Sequence, residues 1–425
     1  MINFQDISNY IQCSLVPENF EPWQIAIFGA FAVAFLIQMC WWCGFFTNLF
    51  RYNRKFIRNR VKFNFEQPEV SVIICAKNEE ENLKKNLPLI MSQLYPAYEV
   101  IVINDASSDD TEMVLAEMKL QYPNLRTTYV PEKAKFVDSK KFAITLGIKA
   151  AKNDILVFTD ADCIPGSKDW LGNIVRHFDS KTDIVLGYGA YSYSGTLLSR
   201  MQVLDTLFIA MQYLNYSLAG KTYMGVGRNM AYRKSMFLKS RGFASHLNLQ
   251  SGDDDLFINE VATSKNTKVE VQPESRTISE PKATFKLWMR QKERHISTGS
   301  FYKAGTKWLI GTEMAWRVLF YGLFIATAVI GNYVTLAIAA LMFIVRLLTQ
   351  YIIIRKSAAV LGEHQFKAGV LLLDICIPLI NLGIDLKIRL SGGAVYKWKY
   401  IAIFAAREKS VIHTCHSTYL RNSIG

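Results

Sequence analysis

The stretch Asn153-Asp-Ile-Leu-Val-Phe-Thr-Asp-Ala-Asp-Cys-Ile-Pro165 decides the fold. Ile155 to Phe158 is a short apolar run of strand formers, with the composition of a strand buried on both faces in a parallel sheet. It runs into Asp160-Ala161-Asp162. In extended chain, residues i and i+2 project to the same side. Two carboxylates at the carboxyl end of a buried strand therefore point together into the crevice where open α/β sheets bind ligands. Like charges held that close repel unless a cation lies between them. No histidine is near, so a hard, oxygen-seeking ion, Mg²⁺ or Mn²⁺, fits Asp160 and Asp162 better than zinc.

Working outward, the same pattern repeats. Val70–Cys75 reads as a buried strand ending in Ala76-Lys-Asn-Glu-Glu-Glu-Asn82, and Leu83, Leu87 and Ile90 then recur at helical spacing. Glu99–Ile103 is the next strand and ends in Asn104-Asp105. Ser107-Ser108-Asp109 caps a helix to about Leu120, Thr127–Val130 is a third strand, and a helix covers Lys140 to Ala151. Strand and helix in this alternation predict a doubly wound α/β layer. Acids gather at three strand ends: Glu79, Asp105, then Asp160 with Asp162. No glycine-rich dinucleotide fingerprint and no phosphate-binding Gly-Lys-Ser/Thr loop occurs, so a bound pyrophosphate must be held by a metal and by cationic side chains.

Further on, Ile184–Gly187 suggests a strand, Met201–Leu218 a helix, and Gly225–Tyr232 a glycine-bearing turn entering a strand. Ser251-Gly-Asp-Asp-Asp-Leu-Phe257 puts three acids at a helix start, more than the macrodipole requires. Phe285–His295 is an amphipathic basic helix with Gln291 and Arg294 on one face.

The flanks are of another kind. The 425 residues carry a net charge of +13, and half are apolar. Trp23–Phe50 is long enough to span a bilayer. Glu18 and Glu21 precede it, and Arg51, Arg54, Lys55, Arg58, Arg60 and Lys62 follow. That order opposes a cleaved signal peptide and predicts an outside N-terminus with a cytoplasmic domain. Ala315–Ile330 and Tyr333–Ile354 form a second hydrophobic pair, in which Arg346 should face protein or snorkel. Val370–Leu386 carries Asp374, Pro378, Asn381 and Asp385 and is expected to be interfacial or re-entrant. The expected layout is thus 1–22 extracytoplasmic, 23–50 a membrane helix, 51–67 a basic linker and 68–300 the soluble domain. A membrane region at 301–390, with helices at about 315–330, 333–354 and 370–386, and a basic tail at 391–425 complete it. The basic charge sits mostly beside membrane segments, where it orients them and meets anionic lipid. No base-reading helix or RNA-binding motif is present, which argues against nucleic acid. Seven cysteines without paired spacing read as reduced thiols.

Taken together, these motifs resemble the membrane-bound family 2 glycosyltransferases, inverting enzymes with a nucleotide-binding GT-A fold. The resemblance covers about residues 68–300. It implies that Glu79 and Asp105 contact the nucleoside, that Lys140 fills the Lys position of a Gly-Lys-x-x-Ala-Leu motif with Ser139 in place of Gly, and that Asp160 and Asp162 hold the metal. The family's Glu-Asp, which carries the catalytic base, falls on Asp253 or Asp254, without the Glu. Its Gln-x-x-Arg-Trp falls on Gln291, Arg294 and His295, with His for Trp. The partners implied are a nucleotide sugar, a UDP-sugar by preference, a lipid or glycan acceptor, and the membrane. The competing readings are a membrane-anchored cation or nucleotide sensor, which has no use for acids at 253–255, and a non-catalytic assembly subunit.

Overall fold

The computed structural model describes residues 21–131, 139–249, 251–363 and 370–390. Most of the expected extracytoplasmic segment and the basic tail at 391–425 lie outside them.

The chain enters through helix α1 (Pro22–Cys40), passes a π-helical turn at Trp41–Phe45, and continues as α2 (Asn48–Ile57). The strand–helix alternation follows: β1 (Val70–Ala76), α3 (Glu80–Met91), β2 (Tyr98–Asn104), α4 (Thr111–Gln121), β3 (Leu125–Tyr129), α5 (Ser139–Ala150) and β4 (Ile155–Asp160). Next come β5 (Cys163–Pro165), α6 (Trp170–Val175), β6 (Ile184–Leu186), β7 (Gly189–Tyr191), α7 (Leu197–Leu218), β8 (Met230–Arg233), α8 (Lys234–Lys239), α9 (Asp255–Val261), β9 (Thr267–Val269) and β10 (Thr277–Ser279). The chain then runs through α10 (Phe285–Thr298), α11 (Ala304–Ile330), α12 (Tyr333–Val360) and α13 (Val370–Leu390).

Seven strands form one sheet in the order β3-β2-β1-β4-β8-β6-β9. The first four run parallel, and β8 is antiparallel to both neighbours, so the sheet is mixed. Side chains alternate with period two. Ile73, Ile101 and Ile103 face a core shared with α5 and α7, while Val72, Ile74, Val100 and Val102 face a second core under α3, α4 and α6. A small sheet, β5-β10-β7, stands beside the carboxyl end of β4.

Three helical stretches are long and apolar enough to cross a membrane: Pro22–Ile57, Ala304–Ile330 and Tyr333–Val360. They pack through Phe31, Phe320, Phe324 and Phe343. Arg346 is wholly enclosed, as the sequence requires of a charge at that depth. Trp42, Phe46 and Leu49 belong to the same core as α5 and α7, which ties the first candidate span to the α/β domain.

Candidate active site

The site is built where β1, β2 and β4 end. Asn78 turns the chain out of β1 with φ +55°, and its Oδ1 accepts the Ser108 N–H at 2.8 Å. The Glu79 N–H donates to Thr111 Oγ1 at 3.0 Å, so the loops after β1 and β2 brace one another. Asp105 is buried; its N–H donates to the Ala76 carbonyl at 2.8 Å, and Lys77 Nζ lies 3.4 Å from Oδ2. Its Oδ1 has no hydrogen-bond partner among the described residues. A buried acceptor left open at a strand end is what an incoming N–H would satisfy.

Asp160 ends β4, and its carboxylate clusters with those of Asp162 and the thiol of Cys163, ligand atoms within 4.8 Å of one another. Burial, then the charge of Asp160, raises the Asp162 carboxyl above the usual range. Burial likewise raises Glu79, with Asp162 and Asp160 adding to it. Burial holds the Cys163 thiol well above its ordinary value, so it stays protonated. What remains is a hard carboxylate pair under mutual repulsion, a donor set that suits Mg²⁺ or Mn²⁺.

Lys140 reaches in from α5. Its Nζ lies 3.3 Å from Asp160 Oδ1 and 3.4 Å from Asp253 Oδ2, and the two charges hold its pKa well above the ordinary value. The three acids of the cluster divide their tasks. Asp255 is consumed structurally: Thr298 Oγ1 and Tyr302 OH donate to it, tying α9 to the end of α10. Asp254 accepts the Gly227 N–H at 2.9 Å and the Asp255 N–H at 2.8 Å, as the cap of α9. Burial, then Asp253 and Asp255, push its carboxyl to about 7. Burial also works to raise Asp253, but Lys140 and its own backbone N–H outweigh it and leave it below the usual carboxylate range.

Helix α10 closes the far wall. A buried pair, Lys292 Nζ to Asp205 at 2.6 and 2.8 Å, fixes it to α7. Gln291 Nε2 donates to Tyr191 OH at 2.9 Å. Arg294 and His295 are exposed to the crevice. Loss of solvation among the surrounding walls, then the charges of Arg294, Arg228 and Lys140, push the pKa of His295 down.

Four contributors were missed in the sequence. Arg228, inside the stretch read only as a turn, lies 4.4 Å over the Tyr191 ring, donates to Ser279 Oγ at 3.0 Å, and carries charge toward Asp162. Gly189 makes room for it: a Cβ there would stand 2.4 Å from Arg228 Nε. Lys282, after β10, places a second charge near Asp162 and Glu79. Tyr191 joins Arg228 to Gln291. Lys141, next to the lysine the motif singles out, is wholly buried. Its Nζ donates to the carbonyls of His246, Leu249 and Ser251 at 2.8, 2.7 and 2.8 Å, holding the loop that delivers Asp253. An arginine after a glycine pair was a usable signal; nothing local distinguished Lys141 from Lys140.

Residues 71–240 match the family model "Glycosyl transferase family 2". The chain is 34% identical over 138 residues to the glycosyltransferase AglE of Haloferax volcanii, covering 31% of this chain and 44% of that protein. It is 28% identical over 257 residues to the probable glycosyltransferase YdaM of Bacillus subtilis, covering 58% of this chain and 59% of that one. The aligned region thus spans about half the length of these curated relatives. Among solved structures, a mannosyltransferase, PcManGT from Pyrobaculum calidifontis in complex with GDP-Man and Mn²⁺, aligns over 82% of this chain and 99% of its own, with a TM-score of 0.52 at 19% identity. That likeness concerns the fold. With the domain match, the mixed sheet and the acids at its strand ends, it identifies the chain as one that carries a family 2 glycosyltransferase domain of the GT-A fold, with helices able to cross a membrane on both sides of it.

Proposed function

We propose that the chain is an inverting transferase that moves a sugar from a nucleoside-diphosphate donor, a UDP-sugar, to a hydroxyl on a lipid-linked or glycan acceptor at the cytoplasmic membrane face, in envelope or exopolysaccharide synthesis. One observation carries the reading. Lys140 touches both Asp160 and Asp253, so the carboxylate pair suited to a metal and the acid suited to a base lie within one side chain's reach.

Each residue then has a task. Asp105, with its open Oδ1, and Glu79 hold the nucleoside. Asp160 and Asp162 hold a divalent ion, which when bound supplies Lewis-acid neutralisation of the departing diphosphate. Lys140, Arg228, Lys282 and Arg294 surround the same charge with cations. Asp253 takes the proton of the acceptor hydroxyl. The acceptor oxygen attacks the anomeric carbon opposite the leaving group, and the bond to the diphosphate breaks with its electron pair. Asp253 is the better placed of the two candidates because its Oδ2 faces Lys140, whereas both oxygens of Asp254 already accept backbone N–H groups. Gln291 and His295 line the acceptor side.

The test is release of free nucleoside diphosphate from a panel of nucleotide sugars by the purified protein in native-lipid vesicles, read by mass spectrometry. Asp253→Asn should lower the rate by about 10²–10⁴-fold while donor binding changes little. Turnover that survives in Asp253→Asn but is lost in Asp254→Asn would shift the base by one residue. No release from any donor would overturn the reading.

A further inference from the structure

Helix α12 ends against the α/β domain and not in solvent. Leu361 follows its last residue and is buried in the core shared with α7. Gly362 then turns the chain with φ +76°, and a Cβ there would stand 2.7 Å from Arg276 Nη1. That guanidinium donates to the Gly362 carbonyl at 2.7 Å and to the Leu361 carbonyl at 3.4 Å. The last carbonyls of a helix have no partner within it, and the helix dipole also favours a cation placed on them. The next residue, Glu363, accepts the Tyr188 hydroxyl at 3.1 Å and lies 3.9 Å from Arg276. Tyr188 is buried, and the Glu363 side chain is 12% exposed.

The two residues that grip this helix end stand at the heads of two strands. Tyr188 directly precedes β7, Arg276 directly precedes β10, and Gly189 pairs with Thr277 across the small sheet. Both members of that pair touch Arg228. Thr277 Oγ1 donates to its carbonyl at 2.9 Å, and Gly189 leaves the space its side chain occupies. Two residues further along the same strands, Ser279 accepts from its Nη1 and Tyr191 lies under its guanidinium. Asn229, wholly buried, closes the ring: its Nδ2 donates to the Tyr188 carbonyl at 2.8 Å and to the Ser275 carbonyl at 2.9 Å. The path from the end of a candidate span to a cation of the site thus passes through two residues on either strand. Apolar packing of Ile353, Ile354 and Leu361 holds α12 to the domain but sets no register, whereas hydrogen bonds have direction and do.

We propose that Arg276 and Glu363 are positioning residues for the transfer. They clamp the end of α12 to the leading residues of β10 and β7, and so hold Arg228 toward Asp162, where its charge meets the departing diphosphate. Neither residue touches substrate; both act through Arg228. The proposal rests on the transferase reading above and deepens it.

Two measurements on the full chain in lipid vesicles test it, one independent of turnover. The first is amide hydrogen exchange read by mass spectrometry. In Arg276→Met and in Glu363→Leu, exchange over β7 and β10 should quicken by about tenfold, the order expected from loss of one charge-assisted hydrogen bond. Strand β1, on the large sheet, should keep its rate. No change at β7 and β10, or equal quickening at β1, overturns the proposal. The second is a double-mutant cycle on nucleoside diphosphate release, with the donor that scores in the panel above. Glu363→Leu should lower kcat by about tenfold in the parent. In Arg228→Met, whose rate is already reduced, the same change should lower it no further. A residue that merely stabilised the fold would lower both rates by the same factor, and that result overturns the proposal. Where Glu363→Leu does not accumulate, Tyr188→Phe, which deletes a single oxygen, runs the same cycle with the same two outcomes. Failure of the transferase reading is recognised separately, as no nucleoside diphosphate release with any donor while the exchange result stands.

Discussion

Replacing Lys141 with methionine should damage catalysis without touching any residue that meets substrate. The side chain is wholly enclosed, and its ammonium makes three hydrogen bonds to carbonyls of the segment ending at Ser251. Hydrogen bonds from a charged donor contribute about 1.5–3 kcal/mol each, so the gross loss is about 4.5–9 kcal/mol. The variant also escapes the cost of burying an ammonium, several kcal/mol, which leaves a net destabilisation of about 3 kcal/mol. In a domain of this size that lowers the melting temperature by about 6–12 °C. The freed segment leads directly into Asp253, and displacement of a catalytic group by about 1 Å costs roughly 10²-fold in rate. The assay pairs thermal melting in detergent with the rate of nucleoside diphosphate release, separating kcat from the donor KM. The expected result is a large fall in kcat with little change in donor KM, since Glu79 and Asp105 are untouched. A Lys141→Met protein that melts and turns over like its parent would refute the positioning argument.

Other outcomes follow from the same geometry. Asp160→Asn and Asp162→Asn should each abolish turnover and weaken metal-dependent nucleotide binding; full activity in EDTA, or in either variant, would remove the metal from the scheme. His246 is buried, and burial followed by the charge of Lys141 lowers its pKa from 6.5 to about 4. The unfolded chain therefore takes the proton first, so this stability is complete above about pH 6.5 and declines by about 3 kcal/mol as pH falls to about 4. Melting followed across that window should be flatter in His246→Asn, and an unchanged slope would reject the assignment. Ser180 is exposed on the domain, and Ser180→Cys in a background free of other thiols should resist an impermeant reagent in intact cells; labelling without permeabilisation would reverse the proposed orientation. His295 stands where the family carries Trp and offers a smaller surface for an acceptor sugar, so single additions are expected; long homopolymer made by the unmodified protein would exclude this, and short ladders from His295→Trp would support it.

The parallel half of the sheet was legible because buried strands and amphipathic helices declare themselves by period, and because acids at strand ends have few structural reasons to recur. Val70–Ala76, Tyr98–Asn104 and Ile155–Asp160 differ from their expected limits by a residue or two at either end. The second half was harder. Strands of three residues such as Gly189–Tyr191 and Thr277–Ser279 carry no period, and the small sheet they form is what positions Arg228 and Tyr191. The antiparallel course of β8 is likewise a matter of topology, invisible in Met230–Arg233 itself. Among the acids, residue type marked the cluster at 253–255, but only the partners separated its members: Gly227 and Asp255 for Asp254, Thr298 and Tyr302 for Asp255, and Lys140 for Asp253.

The buried arginine among the three candidate spans bears on how the chain is assembled. Arg346 Nε and Nη2 donate to Gln38 Oε1 at 3.3 and 3.0 Å, Nη1 reaches Gln350 Oε1 and Tyr321 OH at 3.1 Å each, and the guanidinium lies 4.8 Å from the Phe320 ring centroid. Gln38 lies on α1, before the α/β domain in the chain, and Arg346 on α12, after it. An arginine at mid-helix disfavours insertion by about 2.5–3.5 kcal/mol. If α12 crosses a membrane, it is expected to settle most readily where Gln38 of α1 is already in place, so α1 would serve it as a docking template. A fragment trimmed through α2 to gain solubility would leave that guanidinium without its two hydrogen bonds to Gln38 and would give up Trp42, Phe46 and Leu49 from the core of the α/β domain. The helices before the α/β domain are thus part of what it folds against, and truncation is a poor route to a working enzyme.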